Sequence, residues 1–181
     1  MTNTFFKISA LCAIMLPLAL SQSHANSKTA EASIINNQGK TIGDAHFRQG
    51  PEGVLIEIQI SDLPSGKHGM HLHETGTCED HAKFKMAGGH IMPTGRPSGY
   101  LNWNGGPHEG NLPNLIVHND GTAHVELYTQ LVSIEGGYNA PILLDKDGSS
   151  LMIHINPDDH VSQPIGGSGA RIACGVIKAA P

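Results

Sequence analysis

The chain has 181 residues, with 22 Gly, 11 Pro and 12 His against only 11 Lys plus Arg. A formal net charge of −5 leaves no basic excess for phosphate contact, which excludes a general nucleic-acid binder. The Gly and Pro content interrupts any long heptad register, and 39% hydrophobic with 15% charged residues is a globular balance, not a disordered one.

In chain order the first element is an address. Lys7 gives a short positive start, Ile8–Leu20 is an uncharged and mostly apolar run, and Ser23-His24-Ala25 is a small-x-small cleavage site. The run falls short of the roughly 20 residues that a membrane helix needs. Residues 1–25 therefore read as a secretory signal and 26–181 as one exported domain, periplasmic or secreted, with no membrane segment after cleavage. Removing Lys7 leaves 10 Lys plus Arg against 16 Asp plus Glu, a net charge of −6. Cleavage also removes Cys12. The remaining pair, Cys78 and Cys174, in an oxidising compartment points to one disulfide.

Strand signals follow. Ala32–Asn36 is a first candidate. Val54–Ile60 places Val54, Ile56, Ile58 and Ile60 on one face, with Glu57 and Gln59 on the other. Ala123, Val125 and Leu127 alternate with Thr122, His124 and Glu126, and Leu151–Ile155 and Ala170–Ile177 are further candidates. Turn signals separate them, such as Asn37-Gln38-Gly39 and Asn119-Asp120-Gly121. No convincing amphipathic helix or repeat is present. Seven or eight short strands argue for an all-β antiparallel sandwich or barrel. Thr75–Pro113 breaks the pattern as a long Gly/Pro/Asn-rich loop, and Asn156–Gly169 is a shorter second loop.

The histidines concentrate around Gly66-Lys67-His68-Gly69-Met70-His71-Leu72-His73-Glu74. On a strand, His71 and His73 share a face about 7 Å apart, while Met70 and Leu72 face the core. By the same parity His68 belongs inside, as a hydrogen-bonded core residue. His154 ends another strand and His90 comes from the long loop. Several neutral imidazoles with few acidic neighbours suit copper or zinc, and a near-planar set favours copper(II).

These segments, with Gly106-Pro107-His108-Glu109-Gly110-Asn111-Leu112-Pro113 and Gly169-Ala170-Arg171-Ile172-Ala173-Cys174-Gly175-Val176-Ile177, resemble the copper/zinc superoxide dismutases, most closely the secreted bacterial branch. The resemblance implies a Greek-key β-sandwich or flattened barrel of about eight strands with one long metal-site loop. It implies His71, His73, His90 and His154 as copper ligands, His90 also bridging to zinc. It further implies Arg171 as the catalytic guide for the superoxide anion, Asp158 as the carboxylate linking the two metal sites, and Cys78–Cys174 as the family disulfide. Both dimers and monomers occur among such proteins, so a homodimer is compatible with the sequence.

The zinc half departs from that pattern. Of four expected ligands only His90 and His108 remain, Ser98 (or Tyr100) standing where a His belongs and Asn111 where an Asp belongs. A neutral amide is a poor zinc ligand, and structural zinc wants four protein donors. The expectation is copper-dependent superoxide dismutation with weak or absent zinc. The alternative is a periplasmic copper-binding or copper-buffering protein on the same scaffold without useful turnover. His46, His81, His118, His124 and His160 match no ligand position.

Overall fold

The computed structural model describes residues 28–181; the signal read at 1–25 and Cys12 lie outside the described residues. Among the described residues there are nine strands: β1 Thr29–Asn36, β2 Thr41–Gln49, β3 Val54–Ile60, β4 Gly66–His68, β5 Met70–His73, β6 Leu115–Val117, β7 Ala123–Thr129, β8 Ser149–His154 and β9 Arg171–Ala179. A single 3-10 turn at Lys85–Ala87 is the one helical element among the described residues. No helix there is long and apolar enough to cross a membrane.

Seven strands form one antiparallel sheet in the order β5-β8-β9-β1-β2-β3-β7, and β4 pairs with β6 in a second sheet. The inward residues of β3 (Val54, Ile56, Ile58, Ile60) pack with Phe47, Met70, Leu72, Leu115 and Leu151 in one core. Each large apolar side chain removed from water there stabilises the fold by about 1.5–3 kcal/mol. The expected all-β, long-loop architecture is the one observed. The Cys78–Cys174 disulfide closes a span of 96 residues. A smaller cluster of Phe84, Ala87 and Met152 packs around it under the long loop.

Two features differ from the sequence reading. Strand β2 carries no clean alternation, because Ile42 is an extra residue in its ladder: Ile34 pairs with Gly43 but Ile35 with Thr41. This bulge shifts the buried set out of phase, to Ile42, then Ala45 and Phe47. The second difference is a break at Gly69. His68 ends β4 in one sheet, while His71 and His73 lie on β5 in the other. His68 is buried as expected, but a parity count across that break does not explain it. Its ring nitrogens lie 2.8 Å from the backbone carbonyls of His154 and Pro64.

Candidate metal centre

Strand β5 is an edge strand, and its free edge is closed by the long loop. The Leu72 amide donates to the Gly110 carbonyl (2.9 Å), and the Ile91 amide donates to the Leu72 carbonyl (3.0 Å). Bridges His71–Asn111 and His73–His90 extend this contact. Met70 and Leu72 point to the core, so His71 and His73 point the other way, and the loop seals both from solvent. On the opposite side His154 ends β8, which pairs with β5. Strand chemistry thus supplies three imidazoles from two neighbouring strands, and the loop supplies His90.

Metal-binding atoms of His71, His90 and His154 all lie within 4.8 Å of one another. His73 completes the ring cluster, its centroid 4.9 Å from that of His90 and 6.0 Å from that of His154. Each of the four keeps one buried ring nitrogen without a hydrogen-bond partner: Nδ1 of His71 and Nε2 of His73, His90 and His154. Buried polar atoms are normally paired, so three convergent orphans, with that of His73 outside their 4.8 Å set but in the same ring cluster, indicate a bound partner of another kind. The opposite nitrogens are tied down. His71 Nε2–H donates to Asp158 (2.7 Å), His73 Nδ1–H to the Gly88 carbonyl (3.1 Å) and His154 Nδ1–H to the Gly169 carbonyl (3.0 Å). Fixing the outer nitrogen of a ligating imidazole sets its tautomer and aims its lone pair.

Electrostatics keep the rings of His73, His90 and His154 neutral. Burial, reinforced by the Arg171 charge and neighbouring rings, holds His73 well below the ordinary histidine range. Burial and the surrounding imidazoles of His71, His73, His108 and His154 also push His90 down. Burial and His71 bring His154 to about 4. Neutral imidazole is the form that binds a metal ion. For Asp158, burial favours the neutral acid, but hydrogen bonds from His71 and the His160 amide outweigh it and hold the carboxyl below its usual value. A Cβ at Gly166, where φ is +60°, would lie 1.7 Å from Asp158 Oδ1, so only glycine permits this seat.

Arg171 starts β9 and leans over the loop. Its Nη1 donates to the Phe84 carbonyl (2.5 Å) and its Nη2 to the Gly88 carbonyl (2.6 Å). The guanidinium is half-buried and stands against the carbonyl that also holds His73.

The second half of the site is different in kind. His90 Nδ1 and His108 Nε2 are 2.9 Å apart, in direct hydrogen bond. Asn111 is fully buried; its Oδ1 accepts from the amides of Gly99 (2.9 Å) and His108 (3.2 Å), and its Nδ2 donates to Ser98 Oγ (3.3 Å). Tyr100 donates instead to the Asn111 carbonyl (2.8 Å). Beside His90 and His108, the positions Ser98 and Asn111 thus present neutral side chains hydrogen-bonded to each other. Among the described residues His81, His118 and His160 join no metal-type cluster.

Residues 41–177 match the family described as copper/zinc superoxide dismutase. The chain belongs to that family. A copper/zinc superoxide dismutase from Caulobacter vibrioides is 44% identical over 151 residues, covering 83% of this chain and 86% of that protein. One from Aquifex aeolicus is 38% identical over 175 residues, covering 96% and 99%. Among solved structures, a superoxide dismutase-like protein from Bacillus subtilis superposes with a TM-score of 0.75 at 36% identity, covering 80% of this chain and 95% of that one. The copper/zinc superoxide dismutase of Brucella abortus gives a TM-score of 0.64 at 28% identity, over 83% and 100%.

Two residues at the site escaped the sequence reading. Asn114 brackets Asp158, accepting from its amide (2.8 Å) and donating to its carbonyl (2.8 Å). His160, a ligand to nothing by position, gives its backbone amide to Asp158 Oδ1 (2.6 Å). The spacing Asp158-x-His160 is the local signal for such an Asx-type turn. His46 and His124 are surface residues paired with Asp44 and Glu57 (2.9 and 3.1 Å), and for His124 this agrees with the solvated face its alternation suggests.

Proposed function

We propose that this protein is an exported, copper-dependent superoxide dismutase whose second metal position binds zinc weakly or not at all. The observation that carries the reading is the four buried, unpartnered ring nitrogens of His71, His73, His90 and His154 beside the Arg171 guanidinium. An all-imidazole, carboxylate-free donor set fits copper better than calcium or magnesium. Copper bound there supplies a one-electron acceptor and donor, which is what converting two superoxide ions and two protons to oxygen and hydrogen peroxide requires.

The chain's own groups do the rest. Asp158 and the carbonyls of Gly88 and Gly169 hold three rings with their lone pairs inward. The loop from 75 to 113 excludes bulk water from the rings. Arg171 provides a local positive field for a small anion, and local field matters more to steering than the overall negative charge. The weak-zinc reading rests on Ser98 and Asn111, whose side chains are neutral and bonded to each other. Export rests on the leader-like residues 1–25 and on the disulfide, which persists in oxidising compartments.

Reconstitution of the purified protein with copper alone, zinc alone and both tests this reading. Copper alone should give full dismutation, and added zinc should bind sub-stoichiometrically with no gain in rate. A requirement for both ions overturns the zinc reading. Tight copper binding without turnover selects copper buffering instead. N-terminal sequencing of the periplasmic fraction should begin at Asn26; retention of Met1 in a cytoplasmic pool overturns export.

A further inference from the structure

Three of the four clustered rings have an outer partner that can only accept. A carboxylate holds His71, and backbone carbonyls hold His73 and His154. Neither kind of group can donate a proton, so in each neutral ring the hydrogen sits on the outer nitrogen and the inner one keeps its lone pair. His90 is the exception. Its outer nitrogen, Nδ1, faces Nε2 of another imidazole at 2.9 Å, and an imidazole nitrogen can donate or accept.

Two proton arrangements satisfy that contact. If His108 donates, the hydrogen of His90 lies on Nε2, and that nitrogen has no lone pair left to give a metal ion. If His90 donates, its Nε2 is free and the four inner nitrogens form one consistent set. The second arrangement needs His108 with its hydrogen on Nδ1 and a lone pair on Nε2; Nδ1 has no protein partner in either arrangement, so it does not choose between them.

We infer that His108 is a positioning residue that accepts the Nδ1–H of His90 and thereby fixes the His90 tautomer, taking over at that nitrogen the place of a second metal ion. The inference rests on the copper reading above. The mount of His108 fits the role: its backbone amide is held by Asn111 Oδ1 (3.2 Å), and Asn111 is braced by Ser98 (3.3 Å). The two positions that lack zinc-ligand chemistry thus anchor the imidazole that replaces the ion. His108 itself is buried, with no solvent to compete for the contact.

The test compares His108→Gln, whose Oε1 can accept the same hydrogen, with His108→Phe, which fills the space and accepts nothing. Long-range 15N–1H correlation on the metal-free full chain near pH 8 reads the His90 tautomer, and copper(II) competition titration reads affinity. Wild type and His108→Gln should show His90 protonated on Nδ1. His108→Phe should lose that preference and bind copper about 10–100-fold more weakly, the usual cost of losing an outer-shell partner. An Nε2–H tautomer in wild type overturns the inference. So do equal losses in both variants, which would make packing the cause, or no loss in His108→Phe. The tautomer is read without copper, so a failure of dismutation would sink the functional reading while leaving this result separately decided.

Discussion

His73 and Arg171 share one acceptor, the carbonyl oxygen of Gly88, at 3.1 and 2.6 Å. The group that aims a ring into the cluster is therefore the group that anchors the nearby cation. Gly88 can present this carbonyl because it has φ of +73°, and a Cβ there would press on Glu74 Oε1 at 2.7 Å.

This sharing separates binding from rate. Arg171→Ala should leave copper affinity within a few-fold, because the Gly88 carbonyl still accepts from His73. It should lower the dismutation rate about tenfold or more and flatten its ionic-strength dependence, since steering by a local charge contributes roughly 10–1,000-fold. Pulse radiolysis at several salt concentrations, alongside copper titration, measures both. Arg171→Lys should recover only part of the rate, because a single ammonium cannot span the Phe84 and Gly88 carbonyls together.

Acid should destabilise the metal-free protein before it reaches the carboxylate range. His73, His90 and His154 all have folded-state values below the unfolded value of about 6.5, chiefly through burial. Below pH 6.5 the unfolded chain takes up protons that the folded chain refuses, so stability falls as pH falls. Each such ring contributes a slope of up to about 1.4 kcal/mol per pH unit. For His154 the loss is complete near its folded value of about 4. Asp158 acts later: its depressed folded value makes its contribution disappear only as pH drops through that value. Urea unfolding of metal-free protein between pH 7.5 and 4.5 should give a steadily falling midpoint, and a flat profile would contradict the assignment.

Restoring two side chains should restore a zinc site. Ser98→His with Asn111→Asp would join His90 and His108 as a four-donor set of the kind structural zinc requires. The double variant should bind one zinc at least a hundredfold more tightly than wild type, as read by competition with a chromophoric chelator. Wild-type affinity equal to that of the variant would refute the weak-zinc reading.

The disulfide should carry a large share of stability. A closure of 96 residues is worth up to about 4–5 kcal/mol in the chain-entropy model. Cys78→Ser with Cys174→Ser should lower the unfolding free energy by about 2–5 kcal/mol in denaturant titration. It should also loosen the Phe84–Gly88 stretch, since Phe84 and Ala87 pack with the bridge and the carbonyls of Phe84 and Gly88 hold Arg171.

Much of this arrangement was legible from residue pattern. Val54–Ile60 announced its strand because alternation there is unbroken, and the H-x-H of His71 and His73 announced a shared face. Strand β2 did not, because the extra Ile42 puts its buried residues out of phase. Strands β4 and β6 have three residues each, too few to display a period. The outer partners of the rings were hidden for another reason. The acceptors at Gly88 and Gly169 are backbone carbonyls, which every residue possesses, so their placement is a property of the folded loops and not of side-chain identity.

The loop that dresses the histidines also does something for the sheet itself. By pairing with Leu72, the segments at 91 and 110 occupy the outer hydrogen-bonding row of β5, the terminal strand of the seven-stranded sheet. An uncovered terminal strand is a template for adding a strand from another molecule. Any change that peels this loop away therefore exposes an adhesive edge at the same moment that it opens the ring cluster. Damage to the site and exposure of an unpaired strand edge are bound to one structural event.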